Sequence, residues 1–140
     1  MNDASLALQD AVEAALRADA DLTAAAGGVL RLFTVSAPSG TPKPYLVIGE
    51  DQVVPDGLSC PSDEYFTRVH VWTLSDDGIE ASRREAKAIA GHVRRVLDGA
   101  LAVPGFVTSD WAFEFAEHLT DKDGLTCHSV VDHRFHLDPA

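Results

Sequence analysis

Tyr65-Phe66-Thr67-Arg68-Val69-His70-Val71-Trp72-Thr73-Leu74, then Ser75-Asp76-Asp77-Gly78, then a helical period running to Gly99, is the stretch that decides how this chain folds. The first ten residues are nearly all β-branched or aromatic, which suits a pleated, half-buried surface. Ser75-Asp76-Asp77-Gly78 breaks the strand and offers N-cap oxygens. From Ile79 onward Ala86, Ile89, Ala90, Val93, Val96 and Leu97 recur at steps of three and four, the period of a helix with one apolar face. Gly99 stands where a residue with positive φ would let the chain leave the helix. A strand feeding such a helix needs other strands to pack on, and the flanking sequence supplies them.

Upstream, residues 4–18 carry one apolar stripe, Leu8, Ala11, Val12, Ala15 and Leu16, on an alanine-rich helix. Residues 19–26 read as a cap and a short second helix, closed by Gly27-Gly28. Val29 to Val35 follows as a strand. Three prolines make residues 36–44 a loop, because each removes a backbone donor and fixes φ. Tyr45 to Gly49 is a second strand. Glu50 to Glu64 shows little periodicity and reads as a long connection. Downstream of Gly99, Pro104-Gly105 interrupts the chain. Trp111, Phe113 and Phe115 then alternate with Ala112, Glu114 and Ala116, the period of a strand buried on one side. Asp121-Lys122-Asp123-Gly124 is turn chemistry, and Leu125 to Leu137 returns as the second strand of a hairpin. The order predicts an α+β fold: a mixed, largely antiparallel sheet with helices packed on one face, as a single domain over residues 1–140.

An apolar share of 46% with 24% charged residues is that of a globular protein with a core. No apolar run approaches the length of a bilayer span, so no membrane partner is expected. Met1-Asn2-Asp3-Ala4 lacks the basic flank of a signal peptide. Cys60 and Cys127 are too few for a disulfide framework and read as reduced thiols of a protein made in a cytoplasm. The formal charge of −11 argues against a nucleic-acid-binding surface, which needs clustered cations. The one basic cluster, Arg83-Arg84, Lys87 and Arg94-Arg95, reads as a solvated helix face with a favourable cationic end. An acidic protein lining a passage would keep DNA from sticking to it.

The residues capable of chemistry do not converge. Cys127, His128, His133 and His136 crowd one segment, but strand alternation puts Cys127 and His133 on one face and His128 and His136 on the other. Four ligands so divided cannot close a tetrahedral zinc site. A two-residue site shared with His118 or Glu117 across the hairpin is the remaining metal reading. Ser109 and Ser129 lack a nucleophile-elbow sequence. Gly27-Gly28 lacks the third Gly and the Lys of a phosphate loop. Trp72 and Trp111 read as core residues, and Glu114 and Glu117 as solvent-facing. No enzyme, no cofactor and no structural metal is expected.

The chain as a whole resembles the tail-completion, or tail-terminator, proteins of long-tailed phages and related gene transfer agents. The resemblance rests on pieces in order over nearly all residues. They are the helix ending Leu16-Arg17-Ala18-Asp19-Ala20-Asp21-Leu22, Gly27-Gly28 before a strand, and a Pro-rich loop leading into Pro44-Tyr45-Leu46-Val47-Ile48-Gly49. The strand Arg68-Val69-His70-Val71-Trp72-Thr73 follows, then the helix Glu85-Ala86-Lys87-Ala88-Ile89-Ala90 through Val96-Leu97-Asp98, and the closing strand Ser129-Val130-Val131-Asp132-His133-Arg134-Phe135. The strong acidity and the His-rich last strand depart from the usual pattern.

The resemblance implies a structural virion protein with no reaction and no cofactor. It implies a homo-hexameric ring on the head-proximal end of the tail tube, at the head–tail joint. Its partners would be the tail tube protein below and the head–neck stopper or connector above, with DNA passing through without specific binding. A neighbouring connector, a tail-tube subunit and a small intracellular ligand-binding or hydrolytic domain are the competing readings. The 50–64 connection is the expected contact region. Val53, Val54, Leu58 and Cys60 give it apolar groups that an idle surface loop would not need, and Asp56 and Asp63 flank them.

Overall fold

The computed structural model describes residues 3–57 and 63–140. In chain order its elements are α1 (Ser5–Ala18), α2 (Ala20–Ala25), β1 (Leu32–Thr34), β2 (Tyr45–Ile48), β3 (Gln52–Pro55), β4 (Asp63–Leu74), α3 (Ile79–Leu97), β5 (Phe106–Thr120) and β6 (Thr126–Pro139). Six strands form one sheet in the order β1-β2-β4-β6-β5, and β3 joins it through β4. Among the described residues only the β1–β2 pair is parallel, and the other pairs are antiparallel. The α+β reading with helices on one face holds.

The alternation in β4 sets the two faces. Tyr65, Thr67, Val69, Val71 and Thr73 are buried, and the residues between them are half-buried. The pairing of Val69 with Val131 and of Tyr65 with Phe135 carries the same face onto β6. Leu8, Val12 and Leu16 of α1, Leu22 of α2, and Ile89, Ala90, Val93 and Leu97 of α3 close over those strand residues in one core. Burying each such Val, Leu or Ile contributes about 1.5–3 kcal/mol. α1 is tied to the sheet at its start, where the Ala4 amide donates to the Tyr65 hydroxyl at 3.0 Å.

Several local expectations shift. α3 ends at Leu97 with Asp98 as its C-cap at φ −86°, so the chain leaves the helix without using Gly99 as a left-handed residue. Its start uses Gly78, at φ 101°, and none of the Ser75, Asp76 and Asp77 side chains caps it. Instead the Ser82 hydroxyl, one turn inside the helix, accepts from the Ser75 amide at 2.9 Å and donates to the Gly78 carbonyl at 3.2 Å. The expected strand 29–35 shrinks to Leu32–Thr34. It ends in a tight turn at Val35, which has φ 73° and lies 88% exposed.

The connection 50–64 is not structureless throughout. β2 pairs with β4 over Val69–Trp72, which leaves the first half of that edge of β4 to another strand. β3, with its β-branched Val53-Val54, pairs there with Asp63–Phe66. Pro55 is tolerated because β3 is an edge strand.

β5 is longer than its aromatic alternation suggests and carries two bulges, between Thr108 and Asp110 and between Phe113 and Phe115. The second reverses the faces. Phe113 pairs with His133 on the helix side, whereas Phe115 pairs with Asp132 on the other side and is 42% exposed. Trp111 is 39% exposed, so it is not core. Trp72 is half-buried on the helix-free face, not core either. The turn into β6 forms as read. Gly124 has φ 69°, and the Asp123 carboxylate accepts from the Leu125 and Thr126 amides and the Thr126 hydroxyl, which holds its pKa down to about 2.

Candidate interaction surfaces

The residues expected to make contacts are placed by β3 and the start of β4. Val53 faces Tyr65 and Val54 faces Glu64 across the ladder, both roughly two-fifths exposed. Asp63 opens β4 between Pro55 and Leu137. Asp56 stands 3.1 Å from His136 Nε2 with its carboxylate nearly covered. Leu58 and Cys60 lie outside the described residues.

The helix-free face of the sheet is polar and internally paired. The Arg68 guanidinium donates to both Asp132 oxygens, at 2.8 and 2.9 Å. Arg134 reaches Glu114 at 3.1 Å, Asp110 at 3.2 Å and Glu64 at 3.5 Å, so Glu114 faces an ion-pair cluster as well as solvent. Glu50, His70 and His128 form a chain, 3.0 Å from Glu50 Oε1 to His70 Nε2 and 2.7 Å from His70 Nδ1 to His128 Nε2. The hydrogen bond to His70 is the first cause of a lowered Glu50 pKa, and burial is the first cause of a lowered His128 pKa. Trp72 stacks on His128 with centroids 3.8 Å apart and planes 9° apart. Tyr45, Trp72, His70 and His128 border a shallow cleft of about 330 Å³.

The terminal histidines divide between the faces as their spacing required. His128 and His136 lie on the helix-free side, while Cys127 and His133 are buried under the helices. Neither ring nitrogen of His133 finds a hydrogen-bond partner; the Arg94 backbone stands near but short of bonding geometry. Burial holds the His133 pKa down to about 4, against a smaller opposing pull from the Asp98 carboxylate. Across the hairpin, His118 Nδ1 meets the Ser129 hydroxyl at 2.7 Å rather than another histidine. That pair is not a hydrolytic centre: Ser129 is fully buried, and the charges that act on His118 are Lys87 and Arg83 rather than an orienting carboxylate. Among the described residues, no group of three His, Cys, Asp or Glu side chains is placed to hold a metal ion.

A surface that sequence reasoning missed lies between α3 and β5. Ala90 and Gly91 of α3, with Phe113 and Ala116 of β5, floor a groove of about 130 Å³. Its rim is basic: Lys87 lines it, and the Arg94 guanidinium sits 3.8 Å above the Phe113 ring. One turn earlier, Arg83 donates to the Thr120 hydroxyl at 3.3 Å. Arg95 turns away, pairing with Asp19 at 2.7 Å. Among the described residues no strand pairs with the outer edge of β5, and Val107, Trp111, Phe115 and Leu119 stand exposed along that strand. Their four-residue spacing was readable, but only the bulges and the strand's place at the sheet edge leave them uncovered.

Comparison with known proteins places the whole chain. The model of the family described as tail completion protein gp17 matches residues 10–138. A chain in the structure of the virion of a native gene transfer agent particle is 22% identical, with 98% of each chain covered and a TM-score of 0.80. A second solved structure is 14% identical, covering 94% of this chain and 96% of its own, with a TM-score of 0.58. At these identities the two structures speak for the fold alone. No protein of curated function matches the chain by sequence.

Proposed function

The chain belongs to the tail completion protein gp17 family, and from that membership we propose that it forms a hexameric ring that ends the tail tube and joins the tail to the head. The observation that carries this reading is the family match over nearly the full length, together with the fold it shares end to end with a chain of a gene transfer agent particle. The ring would sit at the head–tail joint of a particle assembled in the bacterial host cytoplasm. It would touch the tail tube protein on one side and the head–neck stopper or connector on the other.

The surface chemistry suits that role. A ring is closed by heterologous contacts, each subunit offering two different surfaces. The sheet ends in two different open edges, β5 on one side and β1 with β3 on the other. A charge of −11 repeated in six subunits gives a passage that DNA traverses without binding.

The test is electron microscopy of particles from a strain lacking this protein. The expected result is filled heads without tails, with free tails of irregular length. Normal joined particles would overturn the reading. A resolved joint containing one or two copies would overturn the six-fold ring while leaving a joining role.

A further inference from the structure

We propose that the basic groove between α3 and β5 receives the β3 segment, residues 50–55, of a neighbouring copy of this chain; this rests on the ring reading and assigns its subunit contact. The groove side has three features that favour a partner from outside the chain. Arg83, Lys87 and Arg94 line up along α3 facing β5, and among the described residues none of them pairs with a carboxylate, in a protein that has 22 acidic residues. Among the described residues, none bonds to the outward backbone edge of β5 from 107 to 119. Gly91 lies in mid-helix at an ordinary helical φ, and a Cβ there would meet nothing within 4 Å. Glycine in a helix interior is unfavourable relative to alanine, so its place here is explained by a body that comes close from outside the chain.

The β3 side is complementary. It is an open edge on the other side of the sheet, separated from β5 by β4 and β6 and level with residues 108–112 of β5, just before the groove, so one subunit presents the two surfaces on opposite sides, as head-to-tail closure requires. Asp51 is exposed, and the Glu50 side chain is 78% exposed despite its bond to His70. These carboxylates match Lys87 and Arg94. Val53, on the helix side of a strand with a free edge and 41% exposed, matches Phe113, Ala116 and the space above Gly91.

The test uses purified particles with Cys60→Ser throughout. Particles carrying both Gly91→Cys and Val53→Cys are expected to give, on oxidation, a ladder of covalent species reaching the hexamer, and either cysteine alone only monomer. Lys87→Glu is expected to abolish joined particles, and adding Asp51→Lys to restore them. Gly91→Leu is expected to raise the melting temperature of the isolated protein yet prevent joining, a pair of opposite signs that a merely structural glycine does not produce. Six copies per joint with no ladder and no charge-swap rescue would overturn this contact and leave the ring standing. A joint without six copies would overturn the ring and this contact with it.

Discussion

Along β4, Tyr65, Thr67, Val69 and Val71 turn toward the helices, while Phe66, Arg68, His70 and Trp72 turn away, so the same backbone serves two surfaces of opposite chemistry. The helix side is closed and nearly all apolar. Its polar members, Thr67, Thr73, Ser82, Ser129 and His133, are held among buried neighbours. The other side is open, and its charges are matched in pairs and triplets within the sheet. The difference shows where stability and surface function reside. The covered face holds the fold together. The open face and the sheet edges are free to carry the contacts of assembly at modest cost to folding.

The sharpest test of that division is Phe135→Ala. Phe135 is fully buried opposite Tyr65 and Trp111, and its loss should destabilise by about 3–5 kcal/mol, read as the shift of a urea unfolding midpoint. A loss below about 1 kcal/mol would mean that the helix side is not the dominant core.

His133 tests the same face by pH. Its folded pKa, about 4, lies below the ordinary 6.5, so the unfolded chain binds its proton first as pH falls. The stability it permits is fully present above about pH 6.5 and is lost progressively down to about pH 4, by roughly 3 kcal/mol. Burial lowers His118 and His128 as well, so the comparison is with the His133→Leu variant. That variant should show a flatter stability profile between pH 7 and 4. Parallel profiles would refute the account.

On the open face the effect should be smaller. Arg68→Ala removes a bidentate contact to Asp132 at a site where the Arg side chain is 33% exposed. It should cost about 1–2 kcal/mol, and Arg68→Ala with Asp132→Ala together should cost less than the sum of the two single changes. Additive losses would show that the two side chains do not act as a pair.

Much of this molecule was legible in the residues. The β4–α3 unit, the α1 stripe, the Gly27-Gly28 closure and the Asp123-Gly124 turn each depend on contacts within a few positions, where local periodicity and capping chemistry speak directly. The division of the terminal histidines followed from strand alternation alone, and the mixed α+β architecture from the order of helices and strands. The family followed from the order of these pieces.

What the residues in sequence left open was settled by partners far along the chain. β3 forms because β2 is too short to cover β4, which no reading of residues 50–55 alone reveals. Phe115 faces outward because a bulge answers the register of β6. Trp72 lies on the open face because the helices cover the other one. The groove beside Gly91 exists because α3 and β5, adjacent in space, leave room between them. Sequence period determines which side chains share a face; only packing determines which face is covered, since that depends on the lengths and registers of strands distant in the chain.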